Sequence, residues 1–142
     1  MLETNTIIDA DEADYLYVSL SQLPNAGNGL FTAIDIYKDE VISIFKGRIL
    51  TESQIKHRVE ERKDNYFISL LDGTIMDSMS VDCFAKYAND VKGTLTTKLN
   101  NNSKITINDN NDICLIATRK IKSGEELFCS YGTRYWKKHT PA

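Results

Sequence analysis

Ala117-Thr118-Arg119-Lys120-Ile121-Lys122-Ser123-Gly124-Glu125-Glu126-Leu127-Phe128-Cys129-Ser130-Tyr131-Gly132 is the stretch on which the fold turns. Lys122 to Glu125 is a polar turn with a glycine, and Glu126 to Ser130 behind it reads as a short strand. Just upstream, Lys104–Asn108 and Ile113–Thr118 alternate apolar and polar residues around Asp109-Asn110-Asn111-Asp112, the pattern of a hairpin. That acidic tip lacks the glycine and the terminal glutamate of a calcium-binding EF-hand loop, so it reads as a plain turn.

Working back toward the N-terminus, the same grammar of short strands and turns repeats. Tyr15–Leu20, Leu30–Ile36 and Val41–Phe45 read as strands, with turns at Pro24–Gly29 and Lys38–Asp39. Tyr66–Leu71 and Thr74–Asp77 flank a turn at Asp72-Gly73. Thr51 opens the clearest helix. Thr51 and Gln54 have capping-box spacing, Ile55 and Val59 share one face, and charged residues fill the rest out to Asp64. His57 on that helix reads as a solvated surface residue. Asp82 is placed to cap one helical turn, Cys83–Ala88, and Asn89–Asn102 is polar and irregular. The expectation is a mainly β single domain over residues 1–142, with one or two short helices.

Bulk properties narrow the function. The chain has 142 residues and a net charge of -3, which gives no electrostatic case for direct nucleic acid binding. Cys83, Cys114 and Cys129 are too widely spaced for a zinc cluster or a disulfide framework, so neither metal nor disulfides are expected. No apolar run approaches the ~20 residues of a membrane span. A soluble intracellular protein in a reducing compartment is the expectation. Residues 1–14 hold Glu3, Asp9, Asp11, Glu12 and Asp14 with no Lys or Arg; they read as a solvated acidic arm that could also attract a basic peptide.

Three motifs carry chemistry only in combination. Gly27-Asn28-Gly29 lets backbone approach a ligand closely, but strand rather than helix follows it, against a dinucleotide loop. Lys86-Tyr87-Ala88-Asn89-Asp90 and Gly124-Glu125-Glu126-Leu127-Phe128-Cys129-Ser130-Tyr131-Gly132, with Tyr135-Trp136 beyond, each have a packing explanation. Their order is Gly-x-Gly-Leu-Phe, Phe45-Lys46-Gly47, Asn65-Tyr66-Phe67, aromatic-x-Asn, Asn102, then Gly-Glu-Glu-Leu-x-x-x-Tyr-Gly. Over residues 15–136 this resembles the SET-domain protein-lysine methyltransferases.

The resemblance implies a β-clip or SET-like fold whose C-terminal segment threads under an earlier loop, a pseudoknot. It implies transfer of a methyl group from S-adenosylmethionine to a lysine of a protein, possibly a histone tail, leaving S-adenosylhomocysteine. Gly27, Asn28, Gly29, Leu30, Asn89, Asp90, Tyr131 and Trp136 would then hold the cofactor. Tyr131 and Tyr66 match the catalytic tyrosines, and Phe45, Tyr66 and Cys129 would line the lysine channel. Monomer and homodimer are both compatible with the family.

The chain departs from the family pattern at Asp90, where histidine is usual, at Phe45, where a tyrosine hydroxyl is lost, and at Asn101, where proline is usual. The departures at Phe45 and Asp90 support an alternative, a catalytically impaired SET-like binding module. A β-rich structural protein with a chance match is a third reading.

Aromatic and small residues suit the chemistry the resemblance implies. Lysine attacks only as the free amine, and with a pKa of about 10.4 that form is roughly 1 in 2,500 at pH 7, a handicap of about 4.6 kcal/mol. A low-dielectric channel and a nearby sulfonium both favour the neutral amine. Aromatic faces attract the incoming ammonium, and a narrow tunnel aligns it for in-line attack. The Tyr131 hydroxyl could orient the amine or steady the methyl group. Cys129, smaller than the Phe or Tyr often found two residues before the catalytic tyrosine, implies a channel roomy enough for di- or trimethyl-lysine.

Overall fold

The computed structural model describes residues 6–63, 67–69, 74–78, 81–91, 99–107 and 112–130. Among these, the strands form one five-stranded and two three-stranded sheets. The larger sheet runs in the order β1 (Thr6–Ile7), β4 (Glu40–Ile44), β9 (Ile113–Ala117), β8 (Ser103–Ile107), β11 (Cys129–Ser130). β10 (Glu126–Leu127), β3 (Asn28–Thr32) and β2 (Leu16–Leu20) make the second, and β5 (Arg48–Leu50), β7 (Ile75–Asp77) and β6 (Phe67–Ser69) the third. The mainly β expectation therefore holds. The main core joins the sheets through Leu30, Ile36, Ile42, Leu115, Ala117, Ile121 and Leu127, all fully buried. No helix among the described residues is long and apolar enough to cross a membrane.

The β8–β9 hairpin pairs Ser103 with Ala117 through Ile107 with Ile113, as the alternation predicts. Helix α2 (Glu52–Glu60) starts where its capping box predicts. Gln54 N–H donates to Thr51 Oγ1 at 3.2 Å, and Thr51 N–H to Gln54 Oε1 at 2.9 Å. It ends before Asp64, because the chain turns left-handed at Arg62, φ 59°. His57 lies on its exposed face, 3.1 Å from Glu61.

Several expectations need correction. The run Leu30–Ile36 is not one strand: β3 stops at Thr32, and Ile36 keeps only an isolated bridge to Ile121. Thr32 Oγ1 donates to Ile34 O at 2.8 Å and accepts from Ile34 N–H at 3.1 Å, which bends the chain out of the ladder. The Cys83–Ala88 helical turn shrinks to a 3-10 turn, Ala85–Tyr87, with no side-chain cap, so Asp82 does not cap it. Part of the acidic segment is not a free arm. Thr6–Ile7 pairs in parallel with β4, and a short helix α1 (Glu12–Tyr15) follows. Glu12 accepts hydrogen bonds from Ser43 Oγ and from Ile44 N–H, and the buried Tyr15 hydroxyl donates to Ile42 O at 2.7 Å. Asp9, Asp11 and Asp14 remain exposed.

Glu126–Ser130 also divides. β10 pairs antiparallel with β3, whereas β11 pairs in parallel with β8. The break falls at Phe128 because Asn102 intercepts its backbone. Phe128 N–H donates to Asn102 Oδ1 at 2.9 Å, and Phe128 O accepts from the N–H groups of Asn102 and Ser103, both at 3.0 Å, and from Ser103 Oγ at 2.8 Å. Asn89 bridges Phe128 in parallel from the opposite side. Phe128 and Cys129 thus run between two segments, Ala88–Asp90 and Asn102–Lys104.

Candidate active site

That crossing brings together three stretches far apart in sequence. The first is the β2–β3 turn. Ser21 N–H donates to Gly27 O at 2.8 Å, and the turn carries two left-handed residues, Asn25 at φ 61° and Gly27 at φ 70°. A residue with a Cβ would be strained at Gly27, although open space surrounds it. Asn28 is exposed while Leu30 is fully buried, so the turn presents backbone outward from an anchored strand.

The second stretch locks onto the first. Asn89 Nδ2 donates to Asn28 O at 3.0 Å, and Asn89 O accepts from Cys129 N–H at 2.8 Å. One asparagine therefore joins the glycine turn to the C-terminal crossing. Its neighbour Asp90 is 3% exposed and accepts from Asn101 Nδ2 at 3.0 Å, while Asn101 Oδ1 accepts from Val91 N–H at 3.1 Å. Those bonds tie Asp90 and Val91 to Asn101. Asp90 and Asn101, two of the departures noted above, are thus partners of each other.

The third stretch is the crossing itself. Cys129 is fully buried in the main core, its thiol 3.8 Å from Ala88 O, and burial, aided by the charge of Asp90, pushes the thiol well above its ordinary range. Phe45 packs in the same core. The Phe45–Gly47 segment is gripped from beneath: Lys46 N–H donates to Cys83 Sγ at 3.3 Å, and Ser78 Oγ donates to Lys46 O at 2.6 Å. Gly47 is obligatory there, because a Cβ would lie 2.6 Å from Asp77 O. Of the residues expected in the site, Tyr66, Tyr131 and Trp136 lie outside the described residues. The others fall into two groups, with Gly27–Leu30, Asn89 and Asp90 around the crossing, and Phe45 and Cys129 in the adjoining core.

Sequence reasoning passed over four contributors: Ser21, Ser78, Cys83 and, above all, Glu126. Glu126 is 2% exposed, and its carboxyl oxygens accept from Ser21 Oγ at 2.6 Å, Gln22 N–H at 2.8 Å and Gln22 Nε2 at 3.4 Å. Its signal was an acidic residue opening an otherwise apolar strand, an arrangement that demands buried partners.

Residues 27–132 match the family model described as the SET domain. This chain belongs to the SET-domain family. The SET domain is 28% identical over 142 aligned residues to the histone-lysine N-methyltransferase EZH2 of Chaetomium thermophilum, across 92% of this chain and 9% of that protein. It is 32% identical over 69 residues to the histone-lysine N-methyltransferase SETD7 of Halocynthia roretzi, across 49% of this chain and 18% of that one. The chain therefore spans less than a fifth of the length of either relative.

Solved structures resemble the SET domain as well. A humanized mutant of the Chaetomium thermophilum Polycomb Repressive Complex 2, bound to the inhibitor GSK126, matches with a TM-score of 0.66 and 28% identity, over 82% of this chain and 15% of that one. An apo form of ctPRC2 with two substitutions in Ezh2 matches with a TM-score of 0.67 and 30% identity, again over 82% and 15%. The SET-like fold and the lysine methyltransferase family are thereby established, and a chance match is excluded.

Proposed function

We propose that this SET domain transfers methyl groups from S-adenosylmethionine to the ε-amine of a lysine in a protein substrate. The observation that carries the reading is Asn89, whose side chain holds the Asn28 carbonyl while its own carbonyl holds Cys129. Gly27–Leu30, Asn89 and Cys129 are drawn into one neighbourhood by those two bonds.

The residues present fit the cofactor. The turn around Gly27 offers exposed backbone with open space above it, beside a half-buried asparagine amide. Gly27, Asn28, Gly29, Leu30, Asn89 and Asp90 would hold the cofactor there, with Tyr131 and Trp136 closing over it. When bound, S-adenosylmethionine supplies an electrophilic methyl group on a sulfonium. The chain's own residues do the rest. In this reading Phe45, Tyr66 and Cys129 would line the lysine channel, whose low polarity would favour the neutral amine. Aromatic walls there would restrain the amine for attack, and such positioning would lower the barrier through effective concentration. The Tyr131 hydroxyl would orient the amine or steady the methyl group. Asp90 serves through its backbone, since its carboxyl group is engaged by Asn101.

A histone tail is the substrate we favour, because both similar methyltransferases are named for histone lysine and because Asp9, Asp11 and Asp14 stay exposed to meet a basic peptide. The three cysteines are free and buried, which suits a reducing, intracellular setting.

The test is to incubate the protein with methyl-labelled cofactor and a mixture of histone and ribosomal proteins, then map the labelled lysine. Tyr131→Phe should cut turnover sharply while calorimetry finds cofactor affinity nearly intact. Undiminished turnover would remove Tyr131 from the mechanism. Cofactor binding with no transfer to any substrate would instead favour the binding-module alternative.

A further inference from the structure

The carboxyl group of Glu126 is out of water, and among the described residues its partners are all neutral donors. A buried carboxyl without a cation is a poor way to gain stability, since an apolar side chain would fill the space at lower desolvation cost. Its placement points to another role. Every donor it engages comes from Ser21 or Gln22, more than a hundred positions earlier. Those two residues open the turn that ends at Gly27. Ser21 in turn accepts from Leu23 N–H at 3.1 Å, so the carboxyl, the serine and the turn form one chain of bonds. Across β3, Gly29 must lack a side chain because Glu126 Oε2 occupies the place where a Cβ would go.

Apart from the buried Leu23, the turn has little else to define it. It holds two left-handed residues, and its internal backbone bonds are Ser21 to Gly27 and a long one, 3.3 Å, from Ala26 to Leu23. Glu126 is also two residues from Phe128, which Asn102 and Asn89 clamp in place. A circuit results: Glu126 fixes Ser21 and Gln22, the turn leads to Asn28, Asn28 bonds Asn89, and Asn89 bonds Cys129.

We infer that Glu126 is a positioning residue that presets the Gly27–Leu30 backbone for the cofactor from beneath the turn, without touching the ligand. The inference rests on the methyltransferase reading of the same site. Its energetic content is preorganisation: the carboxyl selects one turn geometry before the ligand arrives, so less ordering remains to be done on binding.

The experiment combines calorimetry with S-adenosylmethionine and hydrogen exchange on the ligand-free protein. Glu126→Ala should weaken cofactor binding by about tenfold or more, the loss expected for several buried bonds to one group. It should raise KM for the cofactor with kcat at saturation largely retained, and speed exchange across residues 21–30 while β8 and β9 stay protected. Glu126→Gln keeps the shape and the acceptor for Gln22 N–H, and should recover most of the affinity. If Glu126→Ala fails to fold, Ser21→Ala carries the test, with an expected loss of roughly threefold for one bond.

Unchanged cofactor affinity in all these variants, with the parent protein binding normally, overturns the inference alone. Faster exchange throughout β8 and β9 with both KM values and kcat shifted together also overturns it, since that is the signature of a merely structural residue. A parent protein that binds no cofactor at all overturns the methyltransferase reading, and the inference with it.

Discussion

Asn102 shows how much one side chain can decide. It is 1% exposed, its amide donates to Glu126 O at 2.9 Å, and its Oδ1 accepts from Phe128 N–H. Asn102→Ala would leave two buried backbone groups without partners, at about 1–3 kcal/mol each. A loss of roughly 2–6 kcal/mol in urea unfolding is expected; a loss below half the lower figure would mean that the crossing holds without it. The site was partly readable at this scale. Gly27, Asn89 and Asn102 stood out because their residue types recur in order along the family pattern. Glu126 stood in the same pattern, but its partners Ser21 and Gln22 lie more than a hundred positions earlier, so its role was not readable locally. The pairing of Asp90 with Asn101 was equally hidden, although both had been noticed separately as departures.

At the scale of elements, α2 was the clearest expectation and is only lightly embedded in the fold. It has no buried residue, and Arg58 tethers it through a 3.4 Å contact between its Nε and Asp77 Oδ2. Thr51→Ala removes one half of the capping box and should weaken the helix by about 1 kcal/mol. Amide exchange over residues 52–60 should therefore quicken while the global unfolding midpoint stays nearly constant; a midpoint falling in step with exchange would show that the helix unfolds only with the whole. The hairpins and this helix were legible because their causes are local, in alternation, turn residues and cap spacing. What was missed has distant or very short causes. Thr32 ends β3 with a two-residue hydroxyl turn, Asn102 splits the last strand from 26 positions away, and β1 and β5 comprise only two and three residues.

For the molecule as a whole, burial sets an alkaline limit. Tyr15 and Cys129 are both raised, first by burial and then by nearby carboxylates, Glu12 and Glu40 for the tyrosine and Asp90 for the thiol; Cys114 is raised by burial and by Asp112. Above the ordinary thiol value of 9.0 and phenol value of 10.0, the unfolded chain releases these protons while the folded one keeps them. Stability from these groups is thus complete below pH 9.0 and falls as pH climbs toward the folded values. Urea midpoints taken from neutral to alkaline pH should decline across that window, and a flat profile would contradict the burial of these groups. The crossing has a consequence of another kind. Phe128 and Cys129 slot between Asn89 and Ser103, so a ribosome making this chain delivers the keystone after both sides of the arch. Until those residues emerge, the nascent protein has the Gly27 turn and the Asn89 segment but no crossing to join them, and loop closure over such long separations is slow. Newly made copies should pass through an open, chaperone-accessible stage whose length depends on how fast Phe128 and Cys129 find their slot.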